Sequence, residues 1–246
     1  MATTRPTLCN LDALAGRAAP PTWDMAFFRQ VTASFDHQHH LATPCQRLNE
    51  LLRRYGQYLG TTQLRHLTGH SVKVSRLAQR LGQLLRMSAT DLRRLRVAGL
   101  LHDLGKLLTP EELLAKPGRL SARERRLMDR HAADGAEMAL LLGVDRRTAE
   151  FIQHHHTWFA ASRERAGGHG RGVPLGARVL TVADAFVTML GERPYQAARP
   201  PEEALAELRR FRATQFDPRV VDAADQMIHR HRAFSPDTTT RHPPEN

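Results

Sequence analysis

The stretch Gly99-Leu100-Leu101-His102-Asp103-Leu104-Gly105-Lys106 constrains this chain more than any other. It sets an imidazole and a carboxylate side by side in an apolar helical run. Burying an unpaired carboxylate is costly, so a fold that takes this segment inside must supply a partner or a metal ion. Neutral imidazole with carboxylate is a donor mix that suits Mn, Fe or Zn. A His-Asp pair recurs by chance. Its meaning depends on what the other helices bring to it.

The chain has 246 residues, enough for one substantial domain with an extension or for two small ones. Aromatics are only 6% while Leu and Ala abound, which leans toward packed helices. Two cysteines, Cys9 and Cys45, without CxxC spacing argue against a disulfide framework and a cysteine zinc site. The longest apolar run, Met138 to Val144, has seven residues; a bilayer span needs roughly 20. No basic start followed by an apolar run marks a signal peptide, so the expected location is the cytoplasm. Net charge is +11, carried by thirty-three arginines and three lysines. The arginines are scattered over helix faces, as at Arg93, Arg94 and Arg96. That argues against a nucleic-acid tract and leaves a weak preference for an anionic substrate.

Residues 1 to 21 lack periodicity and read as a flexible arm. Trp23, Phe27, Phe28 and Val31 give a short amphipathic pattern, and the histidines at 37, 39 and 40 read as a polar linker. Pro44 to Leu59 reads as a helix with Leu48, Leu51, Leu52, Tyr55 and Leu59 on one side. Gln63 to Leu85 is a longer one, with Leu67, Val74, Leu77, Leu81 and Leu84 in phase and His66 one turn from His70. Ser88 with Asp91 opens a helix expected to run through His102-Asp103 into Gly105-Lys106. Lys116-Pro117-Gly118 is a turn, and Ser121 with Glu124 is a capping box. The spacing predicts a single helix from there through Leu127, Met128, His131, Met138 and Leu142, closed by Gly143. Asp145 caps the next, which ends in His154-His155-His156. A Gly-, Arg- and Ala-rich loop spans 160 to 172, and Pro174 starts a helix through Asp184. Helices follow over 202 to 211 and from Asp217-Pro218 to about 232, and a polar tail ends the chain. No strand pattern stands out.

His66, His70, His102, Asp103, His131, His155, His156 and Asp184 all stand at helical positions beside apolar ones. So many imidazoles and carboxylates turned into one helical core are improbable as packing alone. Asp103 suits a bridge between two ions, because a carboxylate has two oxygens to share.

The ordered set resembles the HD superfamily of metal-dependent phosphohydrolases, through His70, His102-Asp103 and Asp184. Within it the chain is similar to the HD-GYP subfamily, the bacterial cyclic di-GMP phosphodiesterases. Leu101 to Lys106 looks like that subfamily's His-Asp-x-Gly-Lys segment, and Lys116 to Ser121 is similar to its Lys-Pro-Gly-x-Leu-Thr segment. His131 with Gly135, His155-His156, Pro174 to Arg178, Val182 to Asp184, Arg193-Pro194-Tyr195, Thr214 and Phe216-Asp217-Pro218 follow in order. The match runs from about Gln63 to Arg232. There are departures. His66 stands where the subfamily has Glu, Val187 where it often has a second Asp, and Thr157-Trp158-Phe159 begins a loop without the Gly-Tyr-Pro tripeptide. The ligand pair is taken from His154, His155 and His156 as the later two, because Ile152 then sits three residues ahead.

The resemblance implies an all-α HD-domain helical bundle with a short helical N-terminal extension. The expected partition is 1–60 for the arm and helices, 61–233 for the phosphohydrolase domain and 234–246 for a tail. It implies two or more divalent transition-metal ions (Fe, Mn or Zn) held by His66, His70, His102, Asp103, His131, His155, His156 and Asp184. Asp103 and Lys106 are the implied catalytic pair, the first bridging the ions that activate a hydroxide, the second binding a phosphate oxygen. Arg178 and Arg193 are the further expected substrate contacts. The implied substrate is cyclic di-GMP or a related cyclic dinucleotide. The lost tripeptide leaves open another nucleotide or a phosphomonoester, and a non-catalytic HD-type signalling module is the alternative of a different class. A homodimer and a signalling protein partner stay open.

Overall fold

The computed structural model describes residues 24–33, 43–55, 69–161, 172–191 and 199–234. Helices follow one another through these: α1 (Met25–Ala33), α2 (Pro44–Tyr55), α3 (Ser71–Leu84) and α4 (Ala89–Leu101), then a 3-10 turn (Leu104–Leu108). After it come α5 (Glu111–Leu114), α6 (Ala122–Asp129), α7 (His131–Leu141), α8 (Arg146–Gln153), α9 (Leu175–Leu190), α10 (Pro201–Arg210) and α11 (Pro218–Phe234). Among the described residues no strand forms; extended pairing is confined to an isolated bridge between Arg212 and Phe216. The expected all-α fold is the observed one.

Local signals set most helix ends. Ser88 accepts from the Asp91 amide. Ser121 and Glu124 form the reciprocal capping box, and Lys116 grips both Glu124 oxygens at 2.7 and 2.8 Å. Asp145 accepts from the Arg147 and Thr148 amides at the start of α8. Gly143 ends α7 with φ of +92°, a conformation that strains any residue with a Cβ.

Two expectations are corrected. The helix entering the His-Asp pair does not run on to Lys106; α4 stops at Leu101 and the chain tightens into the 3-10 turn. The tighter turn brings Gly105 against α7, where an added Cβ would lie 2.1 Å from the His131 carbonyl oxygen. Only glycine permits that approach. The predicted single helix over 122–142 is two, α6 and α7, divided at Arg130. α6 buries none of its residues, whereas α7 buries six, so the break separates a surface turn from a core helix.

The core lies around α9. Nine of its residues are buried, on all sides of the helix, as expected of an element enclosed by others. α3, α4, α8, α10 and α11 pack around it, α7 lies against α8 and the 3-10 turn, and α1 lies on α7. Phe28 of α1 and Leu48 and Leu51 of α2 are buried in this same core. Burying one such side chain contributes roughly 1.5–3 kcal/mol. No helix among the described residues is long and apolar enough to cross a membrane.

Candidate metal centre

His70 precedes the first turn of α3, His102 and Asp103 follow the last turn of α4, and His131 opens α7. His155 and His156 lie just beyond α8, and Asp184 sits inside α9. Most of these groups therefore stand at helix ends, where the α3–α4–α8–α9 packing turns them toward one another. His102, Asp103, His131 and His155 are buried at 3% exposure or less.

The ring nitrogens are sorted by local bonds. His102 Nδ1 donates to the Gly99 carbonyl at 3.0 Å, and His131 Nδ1 to that of Met128. His155 Nδ1 donates to that of Ile152 at 2.6 Å. In each case the acceptor lies three residues back, at the end of a helical turn. With the proton held on Nδ1, Nε2 carries a lone pair and is left as a ligand atom.

Those Nε2 atoms converge. His131 Nε2 is 3.4 Å from His155 Nε2 and 3.1 Å from His156 Nε2. His131 Nε2 is also 3.6 Å from Asp103 Oδ1. His102 Nε2 is 3.4 Å from Asp103 Oδ2 and 3.7 Å from Asp184 Oδ1, yet is buried without a hydrogen-bond partner. Asp184 Oδ1 also meets His70 Nε2 at 3.0 Å. Lone pairs facing one another repel unless a cation lies between them, so this donor set fits divalent metal. Three overlapping groups have ligand atoms within 4.8 Å of one another: His131-His155-His156, His70-His102-Asp184 and His102-Asp103-His155. Asp103 reaches toward both ends of the cluster, His102 through one oxygen and His131 through the other.

Electrostatics keep the donors in binding form. Burial pushes His131 down to about 4, drives His155 well below 6.5 and lowers His156. These imidazoles are neutral at pH 7 and need lose no proton to bind a cation. Burial would push Asp184 up, but the His102 ring beside it and the hydrogen bond with His70 outweigh that and hold the carboxyl well below its ordinary range. Burial pulls His102 down too, and there the carboxylates of Asp103 and Asp184 prevail and raise it.

The remaining candidates are placed as follows. Lys106 Nζ lies 2.8 Å from Asp103 Oδ2, at the edge of the cluster. Arg178 pairs with the buried carboxylate of Asp217, which also receives Arg219 at 3.2 Å, and its guanidinium stacks 5.9 Å over the Phe159 ring. Trp158, two residues beyond His156, is 52% exposed. Its segment is fixed from Phe159 and Ala160, whose amides donate to the Gln215 and Thr214 carbonyls at 3.1 and 2.9 Å. His154 lies outside the three groups. His66, Arg193, the histidines at 37, 39 and 40 and most of the 160–172 loop lie outside the described residues. The sequence reading did not single out Thr181, a hydroxyl inside the apolar run of α9. It is buried, and its Oγ1 donates to the His155 carbonyl at 2.6 Å. A lone polar residue in Val-Leu-Thr-Val-Ala was the available signal.

A helical cluster of this composition defines a class. The HD domain family matches residues 36–220, three quarters of the chain, and the chain belongs to that family. Domains of this kind bind divalent metals, and the groups described above have the donors to do so. Among characterised proteins, the chain is 38% identical over 158 residues to "Cyclic di-GMP phosphodiesterase response regulator RpfG" of Xanthomonas campestris, covering 61% of this chain and 40% of that protein. It is 34% identical over 153 residues to "3'3'-cGAMP-specific phosphodiesterase 3" of Vibrio cholerae, covering 62% and 33%. The chain thus spans well under half the length of these relatives. Among solved structures, Bd1817, a HDG"Y"P protein from Bdellovibrio bacteriovorus, shares the fold with a TM-score of 0.54 at 16% identity, over 82% of this chain and 69% of that one.

Proposed function

We propose that the chain is a metal-dependent phosphodiesterase acting on cyclic di-GMP or a related cyclic dinucleotide in the cytoplasm. One observation carries the reading: His102, His131 and His155 each commit Nδ1 to a carbonyl three residues back and turn Nε2 into one buried cluster with two carboxylates. Burial without a cation would leave that arrangement unfavourable, because His102 Nε2 has no partner and the other ring nitrogens face one another. Similarity to phosphodiesterases of both cyclic di-GMP and 3'3'-cGAMP supports the substrate class.

In this reading His70, His102, Asp103, His131, His155, His156 and Asp184 hold two or more ions of Fe, Mn or Zn, with His66 as a further ligand. Bound divalent ions supply Lewis acidity and make a nucleophile from water at neutral pH. The chain's own groups do the rest. Asp103 offers one oxygen to each end of the cluster and holds Lys106 beside it. Lys106 binds a non-bridging phosphate oxygen as a point charge. Arg193 adds positive charge. Arg178, engaged by Asp217 and Phe159, contributes to substrate binding through the segment it steadies. Trp158 presents an exposed ring on that fixed segment, suited to stack on a base face. This residue and the loop after it are where another nucleotide would be favoured over cyclic di-GMP, because loops vary specificity on a fixed scaffold.

The test is metal content. Wild-type protein reconstituted with Mn and Fe should hold at least two ions per chain, and Asp103→Ala should lose most of them while remaining helical. Wild-type protein that stays empty after reconstitution rules the reading out.

A further inference from the structure

We infer that the Thr181 hydroxyl is a positioning residue for the metal centre, locking the backbone of His155 to the helix that carries Asp184. The inference rests on the metal reading above. His155 lies past the end of α8, where no continuing helix holds its carbonyl. A carbonyl left there in a dry core would be an orphan of the helix terminus. Thr181 Oγ1 fills that vacancy with a 2.6 Å bond. The same hydroxyl lies 2.9 Å from the Ala177 carbonyl one turn back in its own helix, so its rotamer is fixed from both sides. Thr181 is 6% exposed and has apolar neighbours in sequence, so nothing but these carbonyls justifies its hydroxyl.

The geometric consequence is a tie between two ligand groups. His155 supplies a ring to two of the three candidate groups. Its ring is oriented at one end by the Ile152 carbonyl on Nδ1 and at the other by where its backbone sits. Asp184 is one helical turn beyond Thr181 on α9, so Thr181 and Asp184 share a face. The hydroxyl therefore fixes the separation of the His155 backbone from the helix of Asp184. Without it the His155 ring keeps its Nδ1 bond but loses the anchor that sets its depth. Groups that orient ligands typically change metal affinity by about 10- to 100-fold when removed. Thr181 acts through the backbone of a ligand rather than on its ring, so the low end of that range applies.

The experiment titrates metal-free full-length protein with Co2+, read by visible absorption and by competition with a chelator. Thr181→Val keeps the shape and removes the hydroxyl; Thr181→Ser keeps the hydroxyl. The expected result is about tenfold weaker cobalt binding and an altered cobalt spectrum in Thr181→Val, with affinity and spectrum restored in Thr181→Ser. A merely structural role would lower the thermal midpoint of metal-free protein yet leave the spectrum of the loaded protein unchanged, and that outcome overturns the inference. If Thr181→Val does not fold, Thr181→Ser decides, because a serine that fails to reproduce the wild-type affinity and spectrum also overturns it. Wild-type protein that binds no cobalt removes the metal reading and this inference together. Wild-type and Thr181→Val proteins that bind cobalt alike remove this inference alone.

Discussion

Replacing Gly105 by alanine should damage stability and the metal centre together. The Cβ would sit 2.1 Å from the His131 carbonyl oxygen, 2.7 Å from the Gly135 amide nitrogen and 2.8 Å from the His131 carbonyl carbon. All three are backbone atoms, which cannot rotate away. An ordinary carbon–oxygen approach is about 3.3 Å, so the 3-10 turn and α7 must separate by roughly 1 Å. Overpacking of this kind typically costs about 1–3 kcal/mol, and contact with backbone puts Gly105 at the upper end. Alanine offsets about 0.4–1 kcal/mol by restricting the unfolded chain. A net loss of about 2 kcal/mol lowers the thermal midpoint by roughly 4–8 °C for a chain of this size. Because His131 and Asp103 flank the contact, metal affinity should fall as well. Gly135→Ala and Gly69→Ala give a graded comparison. The Gly135 Cβ would meet the Gly105 nitrogen at 3.0 Å, and that of Gly69 would meet nothing within 4 Å. Calorimetry and metal titration of the three variants should give losses in the order Gly105, Gly135, Gly69. A Gly105→Ala protein that melts and binds metal as wild type does would refute the packing argument.

Three further outcomes are expected. Lys106→Met should keep its metal and helicity but lose about 100- to 1,000-fold in turnover, as removal of a charge-stabilising donor typically does; steady-state kinetics with parallel metal analysis checks it, and unchanged turnover returns Lys106 to a structural role beside Asp103. Metal-free protein should lose stability as pH falls from about 6.5 to about 4: burial holds His131 at about 4 and depresses His155 and His156, so the unfolded chain takes up protons there that the folded chain refuses, and the raised His102 offsets only part. Urea unfolding of chelator-treated protein across that window measures it, and stability that is flat or rises on acidification contradicts the assignment. Trp158→Ala should raise KM for a cyclic dinucleotide with metal content unchanged, whereas an unchanged KM would leave Trp158 without a role in substrate binding.

What could be read from the sequence was what is local. Ser88, Ser121 with Glu124, Gly143 and Asp145 each act within one turn of themselves, so the helix ends they mark are where the sequence puts them. Composition and apolar spacing leaned toward packed helices, and the family resemblance supplied the all-α bundle. The stop of α4 at Leu101 was not legible, because its reason lies across the fold, in the contact of Gly105 with His131. The break at Arg130 was hidden likewise, since Leu127 continues the apolar phase of α7 yet lies 44% exposed. At the site, seven of the eight expected ligands fall within the described residues, and their side chains converge. Arg178 is expected from the sequence as a substrate contact, and only the fold brings Asp217, thirty-nine positions away, against it. Thr181 was missed because the carbonyl that requires its hydroxyl belongs to another helix.

The most direct test of the proposed activity is hydrolysis of cyclic di-GMP and 3'3'-cGAMP by protein reconstituted with Mn or Fe, with products separated by chromatography and a chelator-treated sample in parallel. The expected result is metal-dependent cleavage to linear or mononucleotide products, lost on chelation and restored by adding metal. Metal-loaded protein that leaves both dinucleotides intact, or cleavage that survives complete metal removal, would contradict it.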